Sequence, residues 1–233
     1  QHLRLAGCRE APAPWQHAAA AAAQYLEAAW PFPCYDCWEE NGNRLHTYTL
    51  AAVYAGLQAA GALLSDAGAL GAAEAVRAFV LAGVAGRSRL AKIVGGRASD
   101  ASLLGVAVPY GLLTVEDPRM RRTVERVEAE LCGPHGGLHR YRRDSYYGGG
   151  AWVLLTAWLG WYYAEAGELE RAQALRAWVE AQASAGGDLP EQVPVDLNRP
   201  PYYRTWLRRW GPIATPLLWS HAQYIILCQA IGR

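Results

Sequence analysis

Two stretches of this sequence place glutamates between loop-forming residues, where acid–base chemistry could take place. The first is residues 33–42, PCYDCWEENG, in which Pro and Gly on both sides favour a loop. The second is Glu191, in the segment LPEQ. Hydrolysis of a glycosidic bond with inversion uses one protonated carboxyl group that donates to the leaving oxygen and one carboxylate that activates water. We therefore expect Glu39 and Glu191 to meet across one pocket.

The surroundings of the two glutamates suggest their roles. Partial burial and a neighbouring carboxylate both raise a carboxyl pKa, and Glu39 lies between Trp38 and Glu40, so it suits the proton donor. Glu191 follows two glycines on a segment that water could reach. The alternatives are that Glu39 and Glu40 merely favour a helix N-terminus, and that Glu191 is a solvated loop carboxylate.

Residues 140–152, RYRRDSYYGGGAW, bring together cations, hydroxyls and aromatic rings. Bidentate guanidinium groups suit sugar hydroxyls, and flat aromatic faces suit pyranose rings. The alternative for Arg140 and Asp144 is a surface ion pair, which contributes about 0–1 kcal/mol. Trp152, at a junction of loop and helix, suits a sugar platform or the core equally.

For several other tryptophans and one histidine, a structural role in the core is an alternative to a role in chemistry. Trp158 and Trp161 lie in the middle of a predicted helix, which favours the core. His221 is expected to be a buried, hydrogen-bonded histidine. Trp206 and Trp210, among several arginines, either flank the entrance to a pocket or cover the core.

Apolar periodicity and helix-boundary residues predict an all-α chain of about eight helices, without a strand. Three long loops, 31–43, 133–150 and 186–216, hold most of the unusual chemistry, and long loops in a compact domain are usually functional. If the helices pair as antiparallel hairpins, these loops share one face and line one pocket. The predicted helices span residues 14–30, 47–64, 66–85, 100–108, 118–131, 152–166, 168–184 and 217–231. The seventh is expected to point Leu169, Ala172, Leu175, Val179 and Ala183 inward.

Composition limits the possible partners. The 233 residues are 52% hydrophobic, which suffices for a core, and we treat 1–233 as one helical domain. A net charge of +1 gives no electrostatic reason to expect nucleic acid or an acidic membrane surface. No apolar run of about 18 residues suggests a membrane span, and the first residues lack the apolar run of a signal peptide.

The five cysteines are irregularly spaced and odd in number, which favours a reducing, cytoplasmic compartment over a disulfide framework. Cys34 and Cys37 could form half of a zinc site, but no second close pair follows them. Cys132 and His135 keep a zinc enzyme open as an alternative. We otherwise expect neither metal nor cofactor.

Five motifs, in order along the chain, resemble those of the glucoamylase family, glycoside hydrolase family 15. YDCWEE at 35–40 is similar to the family's Tyr-Asp-x-Trp-Glu-Glu, and residues 140–152 to its Arg-Tyr-x-x-Asp-x-Tyr-x-Gly-Gly-x-x-Trp loop. LPEQ at 189–192 resembles the general-base motif, and PLLWSHA at 216–222 the closing helix motif. DASLL at 100–104 also fits.

This resemblance implies an (α/α)6 barrel of the six-hairpin type and inverting release of β-glucose from the non-reducing ends of α-glucans or oligosaccharides. It implies that Glu39 is the general acid and Glu191 the general base. The residues that it assigns to sugar binding are Tyr35, Asp36, Trp38, Glu40, Arg140, Tyr141, Asp144, Tyr146 and Trp152.

The sequence also departs from the family pattern. The earlier Trp-x-Arg-Asp region has no match, and about eight helices fall short of two rings of six. We expect the later part of a barrel, with self-association or a separate segment completing it. The alternatives are a trehalase of the same family and a truncated, non-catalytic carbohydrate-binding or regulatory module.

Overall fold

A computed structural model describes residues 11–84, 86 and 88–232 and shows a mostly helical chain. The described part contains eight α-helices, two short 3-10 helices and one two-stranded antiparallel sheet. The α-helices are α1 (Ala13–Ala29), α2 (Thr47–Leu64), α3 (Ala67–Ala82), α4 (Pro118–Leu131), α5 (Val153–Glu165), α6 (Leu169–Glu180), α7 (Pro200–Trp210) and α8 (Leu218–Ile231). The 3-10 helices are η1 (Ala101–Val106) and η2 (Tyr146–Gly148), and the strands are β1 (Ala151–Trp152) and β2 (Gln192–Val193).

The centre of the core is α5, which is apolar on all sides and therefore must be covered on all sides. Ten of its 13 residues are buried, and it packs against α6, α8 and η1. Gly160 allows α8 to approach, because a Cβ there would lie only 2.9 Å from Leu227 Cδ1. Trp158 is buried in this core, as its mid-helix position predicted.

A second group of helices packs beside this centre. α2 contacts α1, α3 and η1, and buries Leu50, Ala51 and Leu57. The sequence analysis predicted no membrane span, yet α2 is long and apolar enough to cross a membrane by length and composition alone. Its contacts with α1, α3 and η1 bury five of its 18 residues.

Acidic side chains cap three elements that begin close to predicted helix starts. Asp66 accepts hydrogen bonds from the first turn of α3, and Asp117 caps α4, which starts with Pro118. Asp100 accepts from Ser102 N at 2.9 Å, but the helix that follows is the 3-10 helix η1.

The prediction of one long loop over 186–216 was wrong, since this segment contains β2 and α7. Prolines disfavour the interior of a helix, so a run of them favours a loop. Pro200 and Pro201, however, occupy the first positions of α7, where a missing N–H removes no helical hydrogen bond. The prediction of no strand was also wrong. Trp152 is extended in β1, so α5 begins one residue later than predicted, and Leu169 of α6 is exposed instead of inward.

Candidate active site

A cavity of about 420 Å3 lies where the segments 31–43, 133–150 and 186–216 meet. This volume falls within the range of about 300–1,000 Å3 that is usual for small-molecule sites. The cavity is lined by Cys37, Trp38, Glu39, Glu40, Arg140, Tyr141, Asp144, Ser145, Tyr146, Trp152, Glu191, Trp206, Leu217 and Trp219. The two expected carboxylates and most of the expected sugar-binding residues are therefore brought together.

Two of the expected sugar-binding residues do not line the cavity. The Tyr35 side chain is 67% exposed and lies against Gly42. Asp36 is buried behind the cavity, where its Oδ1 accepts hydrogen bonds from Trp38 N and Glu40 N, both at 2.9 Å. Asp36 therefore shapes the loop that carries Glu39.

The backbone of Glu39 is in the left-handed region, with φ 59°. For a non-glycine residue this conformation costs on the order of 1–3 kcal/mol, and it persists where surrounding contacts enforce it. The contacts here are the two Asp36 side-chain hydrogen bonds and a backbone pair, Glu39 N to Asp36 O and Asp36 N to Glu40 O, both 3.0 Å. The loop thus holds Glu39 at the cavity in a conformation that it would not adopt on its own.

Lys92 joins this loop to η1. Its Nζ lies 2.9 Å from Asp36 Oδ2 and 3.0 Å from Asp100 Oδ2, and all three side chains are at most 10% exposed. Burial alone would raise the pKa of Asp36, but the hydrogen bonds from Lys92 and from the loop N–H groups hold that pKa below its usual value. Asp100 also accepts the Trp38 indole N–H at 3.1 Å, so one buried cluster fixes both the loop and its tryptophan.

Arg140 is buried at the cavity wall. Its guanidinium donates to both carboxylate oxygens of Asp144, at 2.8 and 2.6 Å, so the alternative of a surface ion pair is wrong. The guanidinium carbon lies 5.0 Å from the Trp152 ring centroid and 5.3 Å from that of Trp38. This arrangement orders the aromatic walls around one fixed cation.

Glu40 faces the same wall from residues 33–42, which we call the acidic loop. The Tyr141 hydroxyl donates to its carboxylate, with distances of 2.8 and 2.7 Å to the two oxygens. The loop that carries Glu39 is therefore linked directly to the loop that carries Arg140.

The sheet places Glu191 beside Trp152. Gln192 pairs with Trp152 across β1 and β2, and Glu191 O accepts from Val153 N at 3.2 Å. Buried Gln192 also accepts from Gly150 N through its side chain at 3.1 Å. The general-base motif and the glycine-rich loop are thus one structural unit, a link that requires the strands the sequence did not predict.

Burial distinguishes the two glutamates in the opposite sense to the expectation. Glu39 is exposed to solvent, whereas burial raises the pKa of Glu191 even though the Tyr146 hydroxyl hydrogen-bonds to it. Burial and the neighbouring Glu191 also raise the pKa of Tyr146, to about 12. Glu191 is partly buried because it precedes β2, which pairs with Trp152 of β1. The prediction of a loop over residues 186–216 did not include this pairing.

Two buried polar atoms of the cavity wall have no hydrogen-bond partner among the described residues. They are Oε2 of Glu191, an acceptor, and the indole Nε1 of Trp152, a donor. Buried polar groups are nearly always paired, so a donor and an acceptor left free in one cavity mark a place for a polar ligand.

The cysteines give no support to the zinc alternative within the described chain. Cys34, Cys37, Cys132 and Cys228 are free, and no group of three or more His, Cys, Asp or Glu side chains there could hold a metal. His135 hydrogen-bonds to Asp196 at 2.8 Å instead. Cys8 lies outside the described residues.

Comparison with known proteins agrees with this geometry. The family model described as Glycosyl hydrolases family 15 matches residues 9–186. The chain belongs to glycosyl hydrolases family 15. This family 15 chain is 42% identical over 224 residues to an isomaltose glucohydrolase of Kribbella flavida, covering 94% of the chain and 58% of the relative. It is 31% identical to an uncharacterised glycosyl hydrolase of Methanocaldococcus jannaschii, covering 97% of the chain and 39% of that relative.

Solved structures show the same fold. A wild-type glycosidase matches with a TM-score of 0.87 at 42% identity, covering 91% of the chain and 58% of its own length, and a variant glycosidase in complex with glucose matches with 0.86 over the same shares. A bacterial glucoamylase complexed with acarbose matches with 0.73 at 22% identity, covering 92% of the chain and 37% of its own length. The chain therefore folds as part of an (α/α)6 barrel, and it spans 58% of the Kribbella flavida relative and less than half of the Methanocaldococcus jannaschii relative and of the bacterial glucoamylase.

Sequence reasoning did not assign several residues that the structure places at the site. Trp219 and Leu217 line the cavity from the start of α8, inside a motif that was recognised but not mapped onto the pocket. Lys92 and Asp100 support the acidic loop from behind. Lys92 is the single lysine of the chain, which is a signal that could have directed attention to it.

Proposed function

We propose that this chain carries the catalytic pair of an inverting, exo-acting α-glucoside hydrolase, with Glu39 as general acid and Glu191 as general base. The observation that carries the proposal is the cavity that Glu39 and Glu191 share, in which Glu191 Oε2 and Trp152 Nε1 are buried without partners. A sugar hydroxyl or an attacking water can supply the missing partners, and the aromatic walls suit a pyranose ring.

In the proposed reaction, the Glu39 carboxyl group gives its proton to the glycosidic oxygen as the bond to the anomeric carbon breaks. Glu191 takes a proton from a water molecule whose oxygen attacks the anomeric carbon from the opposite face. An α-glucoside then yields β-glucose, and a proton has moved from Glu39 to the leaving sugar and from water to Glu191. The raised pKa of Glu191 makes it a stronger base once ionised.

The substrate is proposed to be a short α-glucoside or the non-reducing end of an α-glucan. The name of the Kribbella flavida relative makes isomaltose the first substrate to test. Because the chain spans 58% of that relative, we propose that a further segment completes the barrel and covers Glu39, which is exposed here.

Glucose release from isomaltose, maltotriose and trehalose, with the anomer followed by NMR, tests the proposal. We expect β-glucose as first product, and Glu39→Gln and Glu191→Gln should each lower kcat at least a thousandfold. Glu125→Gln, an exposed carboxylate on α4, is the matched control. α-Glucose as first product, or full activity in either variant, would contradict the mechanism.

A further inference from the structure

α7 is an unusual helix because it has no buried residue. It carries Tyr202, Tyr203, Trp206 and Trp210, and the element it packs against is η2, at the cavity. An isolated helix of about eleven residues is marginal in water, so its position depends on these contacts. Because α7 buries no residue in the core, we look for its role in the aromatic side chains that it exposes.

The position of α7 is nevertheless fixed at both ends by the glycine-rich loop. Arg199 N donates to Gly148 O at 2.8 Å at its start. At its end the Tyr147 hydroxyl donates to Gly211 O at 3.0 Å. The loop that lines the cavity thus sets the place of the helix relative to the cavity.

The aromatic rings of α7 continue the cavity wall outward. Trp206 lines the cavity, and its ring centroid lies 4.8 Å from that of Tyr146. Trp210, one turn further on the same face, has its centroid 6.4 Å from Trp206 and is 62% exposed. Arg209 places its guanidinium 5.3 Å from the Trp210 centroid, so a hydrogen-bond donor stands beside the exposed ring.

We propose that Trp206 and Trp210 form an outer carbohydrate platform that binds the glucosyl units beyond the one held in the cavity. The inference rests on the proposed function and adds a preference for chain length to it. The apolar C–H faces of a glucosyl chain leaving the cavity can cover the exposed indole, while Arg209 donates to its hydroxyls. A disaccharide would end before reaching Trp210, so the platform acts on longer chains.

Isothermal titration calorimetry on the Glu39→Gln chain tests this without turnover. The ligands are isomaltose, isomaltotriose and isomaltotetraose, with the matching maltose series. We expect affinity to rise with length, and Trp210→Ala to weaken tetraose binding about fivefold to tenfold while changing disaccharide binding less than twofold. Trp15→Ala, which removes a 51% exposed tryptophan from α1, should change neither.

The outcomes separate the platform from the proposed function. Equal tetraose affinity with and without Trp210, or an equal loss for disaccharide and tetraose, would overturn the platform. A change in oligomeric state on Trp210→Ala without a change in sugar affinity would assign this face to a second protein copy and overturn it as well. Retention of most of the length effect by Trp210→Phe would support it, since the ring is kept. Failure of the wild-type chain to release glucose would count against the proposed function alone, because the titration needs no catalysis.

Discussion

At the scale of single residues, the loop that carries Glu39 depends on the charge of Lys92, which lies far along the chain from it. Lys92 is the ammonium between Asp36 and Asp100, and all three side chains are nearly inaccessible to water. Attraction between charges is strong in such surroundings, but so is the cost of leaving one of them unpaired. The position of Glu39 is therefore tied to a residue that does not touch the cavity.

Replacing Lys92 with methionine should lower the free energy of unfolding at neutral pH by about 3 kcal/mol, because two buried carboxylates lose their counter-ion. The pKa of Asp36 is lowered in the folded state, so its ion pair stabilises the fold above the ordinary pKa of about 4 and is lost as pH falls through the lowered pKa. The difference between wild type and variant should therefore shrink below about pH 4. Urea denaturation at pH 3, 5 and 7 measures it.

The control for this substitution is Arg126→Met, which breaks an ion pair with Glu130 on α4 in which the arginine side chain is 48% exposed. Exposed pairs contribute about 0–1 kcal/mol, so its effect should be small at every pH. A Lys92→Met variant no less stable than Arg126→Met would show that the buried cluster does not depend on the lysine.

Glu191 should act in the opposite sense. Burial raises its pKa in the folded state, so the fold holds a proton that the unfolded chain has lost, and stability decreases as pH rises from about 4.3 through the raised pKa. Glu191→Gln removes this penalty and should be more stable than wild type at pH 7, by on the order of 1 kcal/mol. The two should be equally stable at pH 4 and below.

Paired denaturation curves at pH 4 and pH 7 measure this effect, with Glu125→Gln, at an exposed position of α4, as control. Equal stability of Glu191→Gln and wild type at pH 7 would mean that the carboxylate is not destabilising. Higher stability with lost activity would instead mark Glu191 as a residue retained for chemistry.

Most of the site residues could be found from the sequence, but not their supports. Trp38, Glu40 and Arg140 lie in compact motifs whose spacing is visible in one dimension. The contacts of Lys92 join positions far apart in the chain, and no local pattern records such a pairing. The burial of Glu191 depends likewise on a strand only two residues long.

At the scale of elements, packing around α5 sets what the helices tolerate. Gly160 faces α8, where an added Cβ would lie 2.9 and 3.0 Å from the two methyl carbons of Leu227, a fully buried side chain. Gly71, at an exposed position of α3, has nothing within 4 Å of the same position. The two glycines are thus a matched pair in helices of different burial.

Gly160→Ala should destabilise the chain by about 1–3 kcal/mol, because Leu227 has no room to move. Gly71→Ala should stabilise it by about 0.5–1 kcal/mol, because alanine restricts the unfolded chain and suits a helix. Thermal unfolding of both variants measures the difference. Similar shifts in the same direction would show that α5 and α8 are not in the close contact described.

The elements that the sequence predicted best are those with strong apolar patterns. α5 was recognised because its residues are apolar on every side, and α4 because an acidic cap precedes Pro118. α7 was not predicted because the prolines around its start favoured a loop, and because none of its residues is buried in the core. Its helix is specified by two prolines at the start and by contacts with η2, which only the folded chain supplies.

At the scale of the whole molecule, α8 has apolar side chains that the described part of the chain leaves exposed. Leu218 is 84% exposed, and Ile225, two turns further on along the same face, is 54% exposed. Single exposed apolar residues are ordinary, but exposed apolar residues along one face of a helix indicate a surface that contacts another segment or protein. The length of the relatives is consistent with further helices beside it.

We expect the isolated chain to self-associate through this face, which concentration-dependent light scattering would detect. Replacing Leu218 and Ile225 together with lysine should reduce the association, because charge replaces apolar surface. Leu169→Lys, at a 45% exposed leucine on α6, should not. A monodisperse monomer at high concentration, or an equal effect of the control, would argue against an exposed barrel edge on α8.

The single lysine of this chain is also its single side-chain amine, and it is enclosed beneath the acidic loop. Reagents that acylate amines can therefore modify the chain at only one internal position, and only while that loop is lifted away. The rate of acylation of Lys92, followed by mass spectrometry, therefore reports how often the loop opens. A sugar that holds the loop in place should lower this rate, so binding in the cavity can be measured without any product being formed.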